Sequence, residues 1–297
     1  DIVSYSRLTI CAGDTTLVNS EGFTLQPGTI HVLVGASGSG KTLTARSLLG
    51  LVGASPGVTA SDLVVSVDGE EHRPYSDGPS QRELHRRFRA LRGDVIGYLP
   101  QDARASLNPV WRIGAQVSRS CKLRGASPDP IPWLKKAGFP SPESVARLYP
   151  HELSGGMAQR ASIALALARG SRFLLADEPT TGLDPTIQAQ ILEEIIRLRD
   201  SGVGILFITH DLRIVPQIAD HLMVMHEGRL VENSPATSLK DLKSGGGRHR
   251  LCPLCEMRCY DHRDGRVACQ QCKPTRAGSD GSKKRALEIR AKNAAVG

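Results

Sequence analysis

The sequence predicts an α/β fold with a largely parallel sheet, and three observations carry that expectation. An apolar strand at 30–34 runs directly into the glycine loop GASGSGKT at 35–42, and the breaker-free stretch 43–49 behind it suits a helix. Two further strand-sized apolar runs, 173–176 and 205–208, lead into Asp177-Glu178 and towards His210. Between them Ile187, Ile191, Ile195 and Leu198 recur at helical spacing, with Pro185 in the first turn and Gly202 beyond the end.

The remaining elements follow in chain order. Residues 17–25 read as a strand that turns at Gln26-Pro27-Gly28, and a strand pair is expected around 63–67 with its turn at Asp68-Gly69. From 78 to 170 the composition becomes helical, with breaks at Pro128, Pro130, Pro132, Pro140 and Pro142, as in an inserted helical subdomain. LMVMHEGRLV, turning at Glu227-Gly228, closes a core domain spanning 1–243. Beyond it, SGGGRHR at 244–250 reads as a linker, 251–275 as a cysteine-rich metal module and 276–297 as a basic tail.

Composition limits the function classes. A chain of 297 residues can hold one large domain with an appendage, or two modest domains, and its 40% hydrophobic content suffices for an ordinary core. Its aromatic content of only 4% disfavours an aromatic-rich nucleic-acid surface. The apolar runs are far shorter than the roughly 20 residues that span a bilayer, and DIVSYSRLTI has neither the basic start nor the apolar stretch of a signal peptide. The formal charge of +8 sits in the last part of the chain: from Lys240 onward there are 14 Lys or Arg against 6 Asp or Glu. Attraction to polyanions would therefore belong to the tail, not to the main domain.

The loop at 35–42 has the G-x-x-x-x-G-K-[ST] spacing of a phosphate cradle. Gly35, Ser37, Gly38, Ser39 and Gly40 let successive backbone N–H groups face one anion; Lys41 can reach the β and γ phosphates of ATP, and the Thr42 hydroxyl can ligate Mg²⁺. A chance glycine turn before Lys-Thr is the alternative, weakened by the strand before it and the helix after. In FLLADEP, Asp177 fits a Mg²⁺ partner and Glu178 a base or water-orienting group near the γ phosphate. His210, also at a strand end, could contact the γ phosphate, although a histidine taken alone is more often structural. LSGGMAQR at 153–160 offers a second phosphate-facing helix start, best understood as completing a site on another subunit; a plain Ser-Gly cap is the simpler alternative.

Together GASGSGKT, Gln101 after VIGYLP, LSGGMAQR, FLLADEP, TGLD at 181–184 and His210 resemble the nucleotide-binding subunit of an ATP-binding-cassette transporter, over roughly residues 7–235. The resemblance implies the phosphate-loop ATPase fold and a head-to-tail pair with ATP held between the loop of one copy and the LSGG turn of the other. It gives Gln101 a contact to Mg²⁺ and water, Ser154, Gly155 and Gly156 the opposed phosphates, and Asp184 a link between the sites. It makes Glu178 the catalytic glutamate and His210 the switch histidine. QDARASLNPVWRIGAQV, YPHELSGGMAQR and ADEPTTGLDPTIQAQIL are similar to stretches in importers of dipeptides, oligopeptides and nickel or its complexes. Such importers pair this kind of subunit with a second, non-identical ATPase, two membrane permease subunits and an external binding protein, which places it peripherally on the cytoplasmic face. No nucleic-acid partner is expected. The family's aromatic that stacks on adenine has no counterpart in 6–22, where Ala12 lies near the place.

Cys252-x₂-Cys255 and Cys269-x₂-Cys272 are spaced for one tetrahedral Zn²⁺, and Cys259 adds a fifth thiol. Through Cys252, Pro253, Arg258, Cys259, Cys269 and Pro274 the stretch resembles the C-terminal cysteine motif of peptide-importer ATPases that can hold a four-iron (4Fe-4S) cluster, with Cys255 and Cys272 extra to it, so both metals stay open. Two alternative functions remain in view. One is a soluble cassette ATPase acting on nucleic acid or ribosomes; the other is a regulatory subunit that binds ATP but turns it over weakly.

Overall fold

The computed structural model describes residues 1–236 and, beyond them, the backbone of three short strands. The chain divides into two units, Asp1–Ala236 and Thr237–Gly297. The first opens with a long hairpin of β1 (Ile2–Ala12) and β2 (Thr15–Leu25), turning at Gly13 in the left-handed region. Next comes β3 (Ile30–Val34), buried at every residue, and after the glycine loop helix α1 (Lys41–Ser47). Strands β4 (Pro56–Ser61), β5 (Val64–Val67) and β6 (Glu70–His72) return to the hairpin, β4 and β5 both pairing with β1, to give a five-stranded antiparallel sheet.

Helix α2 (Gln81–Arg89) leads to β7 (Ile96–Leu99), and a helical layer follows. It contains α3 (Ala103–Ser106), α4 (Ile113–Leu123), α5 (Ile131–Lys136), α6 (Pro142–Ala146) and α7 (Gly155–Arg169), with α7 packed against α3, α4 and α5. The unit ends with β8 (Phe173–Asp177), α8 (Pro185–Asp200), β9 (Gly204–Thr209), α9 (Val215–Ile218), β10 (His221–His226) and β11 (Arg229–Pro235). The stretch 78–170, expected to be mainly helical, also contains one strand of the main sheet. Ile96–Leu99 pairs in parallel with β8 as the end strand of the main sheet, and four residues between a Gly93 turn and Pro100 are too few to show a period.

The main sheet runs β11-β10-β3-β9-β8-β7, parallel except for β11. Its central strands read as unbroken apolar runs because both faces are covered: β3, β8 and β9 have no exposed residue. One core cluster joins the two sheets, with Leu8, Ile10, Phe23 and Leu25 from the antiparallel sheet meeting Leu33, Leu175, Ile208 and Met223 from the parallel one. In a sheet of this kind the carboxyl ends of the strands are where ligands bind. Those ends carry Gly35 after β3, Asp177 as the last residue of β8 with Glu178 behind it, His210 after β9 and Gln101 after β7.

In the second unit β12 (Arg250–Leu251), β13 (Arg258–Asp261) and β14 (Val267–Ala268) form an antiparallel three-stranded sheet. Cys252, Cys255, Cys269 and Cys272 lie outside the described residues, as do the basic tail and all of the expected linker but Arg250; Cys259 falls within β13. Among the described residues no helix is long and apolar enough to cross a membrane.

Candidate active site

The glycine loop packs closely against β10. A Cβ at Gly35 would lie 2.2 Å from the Met225 carbonyl oxygen, and Gly40 sits at φ 101°, so both positions need glycine to keep the loop tight against β10. Lys41 is buried, and its Nζ donates to the carbonyls of Gly35 and Ala36, 2.9 Å each. Burial lowers the pKa of this amine, while the carboxylates of Glu178 and Asp177 act the other way. The Ser39 hydroxyl is buried with no hydrogen-bond partner among the described residues, an orphaned donor in the wall of an anion cradle. Phosphate oxygens would satisfy it.

Two further strand ends complete the polar cluster. Asp177, 3% exposed, accepts from Thr42 Oγ1 at 3.0 Å, so the phosphate loop and β8 meet through a hydroxyl and a carboxylate. These hard oxygen donors suit Mg²⁺. Glu178 adopts φ 50°, in the left-handed region, with its N–H bonded to the Ile208 carbonyl at 3.0 Å. Its Oε2 is held from two sides, by Thr181 Oγ1 at 3.0 Å and by His210 Nδ1 at 3.1 Å. Lys41, Thr42, Asp177, Glu178 and His210 therefore converge. A carboxylate with one oxygen tied down and the other free can orient a water and take its proton.

The other expected site residues lie apart from this cluster or do different work within one chain. Gln101 is exposed and shares a cavity of about 560 Å³ with Gly155, Gln159, Thr181 and Leu183. Ser154 caps α7, its Oγ accepting from the Met157 N–H at 3.2 Å, and Ser154 and Gly155 are exposed. Gly156 is buried where a Cβ would meet Ile187 Cγ2 at 2.3 Å, so it lets α7 approach α8 closely. Asp184 caps α8, its Oδ1 accepting from Thr186 and Ile187 at 3.1 and 3.0 Å. Within the LSGG turn Ser154 and Gly155 are exposed, whereas Leu153 and Gly156 are buried.

Tyr98 carries an interaction that the motifs did not signal. Its hydroxyl donates to Asp177 Oδ2 at 2.9 Å and accepts from Arg46 Nε at 3.5 Å. The residue stands in VIGYLP, but its partner is fixed by the parallel register of β7 on β8, which places Tyr98 opposite Leu175. Its one sequence signal is a hydroxyl in an otherwise apolar strand.

Comparison with known proteins agrees with this geometry. The ABC transporter family profile matches residues 18–181. A putative peptide import ATP-binding protein of Brucella abortus is 40% identical over 231 residues, covering 75% of this chain and 67% of that protein. The oligopeptide transport ATP-binding protein OppD of Bacillus subtilis is 37% identical over 227 residues, covering 74% and 61% respectively. In fold the chain is similar to an ATP-binding cassette dimer solved in a post-hydrolysis state with ADP and phosphate, at TM-score 0.61 and 23% identity, covering 79% of this chain and 98% of that one. It is similar as well to CbiO1 of Clostridium perfringens, part of an ABC transporter complex, at TM-score 0.64 and 23% identity, covering 81% and 91%. A phosphate loop, a carboxylate pair and a histidine gathered at the ends of parallel strands, on a chain with these relatives, place it in the ATP-binding-cassette transporter family, as an ATP-hydrolysing subunit.

Proposed function

We propose that this chain powers the import of peptides through a membrane complex. The observation that carries the reading is the 40% identity over 231 residues with a protein named for peptide import. The OppD relative is named for oligopeptide transport, which favours peptides over nickel or its complexes as cargo. These names also favour a transporter over a soluble ATPase working on nucleic acid or ribosomes.

In this reading ATP lies with its phosphates on the loop 35–42, where Lys41 exchanges the Gly35 and Ala36 carbonyls for phosphate oxygens. Thr42 and Asp177, with Gln101, would hold Mg²⁺, which neutralises charge on the β and γ phosphates. Glu178 orients the attacking water through Oε1 and accepts its proton, while Thr181 and His210 keep Oε2 fixed. The bond from the γ phosphorus to the β-phosphate oxygen breaks, giving ADP and phosphate. Ser154, Gly155 and Gly156 serve the ATP of a second ATPase subunit, not identical to this one, and Asp184 lies between the paired sites. Pairing and release move the helical layer, which passes the motion to two permease subunits fed by an external binding protein. The subunit sits peripherally on the cytoplasmic face of the membrane.

The test is affinity purification of the tagged full chain from membranes. Integral membrane subunits should accompany it, and peptide-stimulated ATP hydrolysis should follow the complex into proteoliposomes. Recovery with ribosomes or nucleic acid in their place would sink the reading.

The second unit is proposed to hold a structural metal on its cysteines, which the C-x₂-C pairs at 252–255 and 269–272 support. Elemental analysis and an absorption spectrum of anaerobically purified chain separate the two candidates. About one zinc and no visible absorption selects Zn²⁺, and about four irons with broad absorption near 400 nm selects the cluster. Neither metal at stoichiometric level would remove the proposal.

A further inference from the structure

The Asp177 carboxylate has two oxygens and two different tethers. Oδ1 accepts from Thr42 at 3.0 Å, on the phosphate loop side. Oδ2 accepts from the Tyr98 hydroxyl at 2.9 Å, on the neighbouring strand. The carboxylate is 3% exposed and so largely shut off from bulk water. An anionic acceptor in that setting takes its orientation from its donors. Tyr98 is in turn held by Arg46 Nε at 3.5 Å, and Arg46 lies on α1, the helix that begins with Lys41 and Thr42. The chain thus closes a loop from α1 through Arg46, Tyr98 and Asp177 back to Thr42. The strand ends one residue beyond Tyr98, at Leu99, and Pro100 and Gln101 follow. One phenol therefore ties the Gln101 segment to the carboxylate at its root.

We propose that Tyr98 is a positioning residue for the metal of bound ATP: by anchoring Asp177 Oδ2 it aims Oδ1 at the point shared with Thr42. The proposal rests on the assignment of Thr42 and Asp177 to Mg²⁺ made above. It adds a residue that touches neither nucleotide nor metal. Partners of this kind change metal affinity by about 10- to 100-fold when removed.

The test uses the full-length chain with Tyr98→Phe, which keeps the ring and deletes only the hydroxyl. A fluorescent non-hydrolysable ATP analogue is titrated in EDTA and again with metal present. Mn²⁺ binding to the nucleotide complex is then followed by electron paramagnetic resonance. Tyr98→Phe should leave metal-free nucleotide affinity within about twofold and weaken Mn²⁺ binding by about tenfold. Arg46→Gln, which removes the bond to the phenol and a positive charge that also acts on Asp177, should weaken Mn²⁺ binding in the same direction by a smaller factor. Unchanged Mn²⁺ binding in Tyr98→Phe, or an equal loss of nucleotide affinity with and without metal, overturns the proposal. Asp177→Asn separates the two levels of the argument. If Asp177→Asn keeps full Mn²⁺ binding, the metal assignment itself fails; if it loses binding while Tyr98→Phe does not, only the role of Tyr98 fails.

Discussion

Glu178 is a glutamate at φ 50°, a conformation uncommon for any side chain but glycine and costing on the order of 1–3 kcal/mol. Its backbone N–H bonded to Ile208 and its carboxylate clamped by Thr181 and His210 hold it there. The identity of the residue was legible in FLLADEP, because two carboxylates after four apolar residues mark a strand end. Its strain and its clamp were not, since both depend on the neighbouring strand β9 and on the turn at 181. His31 shows a second effect invisible in sequence. It stacks on His221 with ring centroids 4.5 Å apart, and burial, aided by the His221 charge and opposed by Asp220, takes it from 6.5 down to about 4. The folded imidazole stays neutral while the unfolded one protonates. Its contribution to stability is therefore complete above pH 6.5 and is lost as the pH falls to about 4. The melting temperature should drop across that window, and drop less in His31→Phe, which keeps the stack without titrating. Equal slopes for the two proteins would refute this source of acid sensitivity.

Elements with a strong period were the readable ones. Helix α8 buries Ile191, Ile195 and Leu198, three of the four residues whose spacing announced it, and Pro185 opens its first turn. Short strands escaped because pairing, not periodicity, makes them. Four residues of β7 gain their place from β8, and β4 gains its place from β1. The start of α8 also carries a separable prediction. Asp184 satisfies two of the orphaned N–H groups at that end. Asp184→Ala should cost about 1 kcal/mol of unfolding free energy in a denaturant titration, and Asp184→Ser should recover most of it. If the residue also joins paired ATP sites, Asp184→Ser will restore stability while ATP turnover in the complex stays low. Full recovery of turnover with Asp184→Ser would confine Asp184 to capping.

Across the whole molecule, the parallel sheet brings together residues as far apart in sequence as Lys41, Asp177 and His210 by ending β3, β8 and β9 on one side. The motifs pointed to these residues as candidates, since Asp177 and His210 lie at or just after the end of an apolar run and Lys41 follows a glycine loop. Topology supplied the contacts between them, and Tyr98 entered only through topology. Ser154 and Gly155 are exposed at the start of α7, and the proposed sharing of ATP sites between two subunits gives them a role outside this chain's own phosphate loop. If, as proposed, the phosphate loop is completed by another subunit's turn, the chain should hydrolyse ATP slowly alone and faster in the assembly. The most direct test of the account is turnover on this chain's own loop, read as vanadate-dependent trapping of a photo-crosslinked nucleotide on this subunit within the membrane complex. Glu178→Gln should reduce trapping by about 100-fold or more while leaving ATP binding intact, as expected for loss of a general base. Undiminished trapping in Glu178→Gln would contradict the assignment of this carboxylate and of the site built around it.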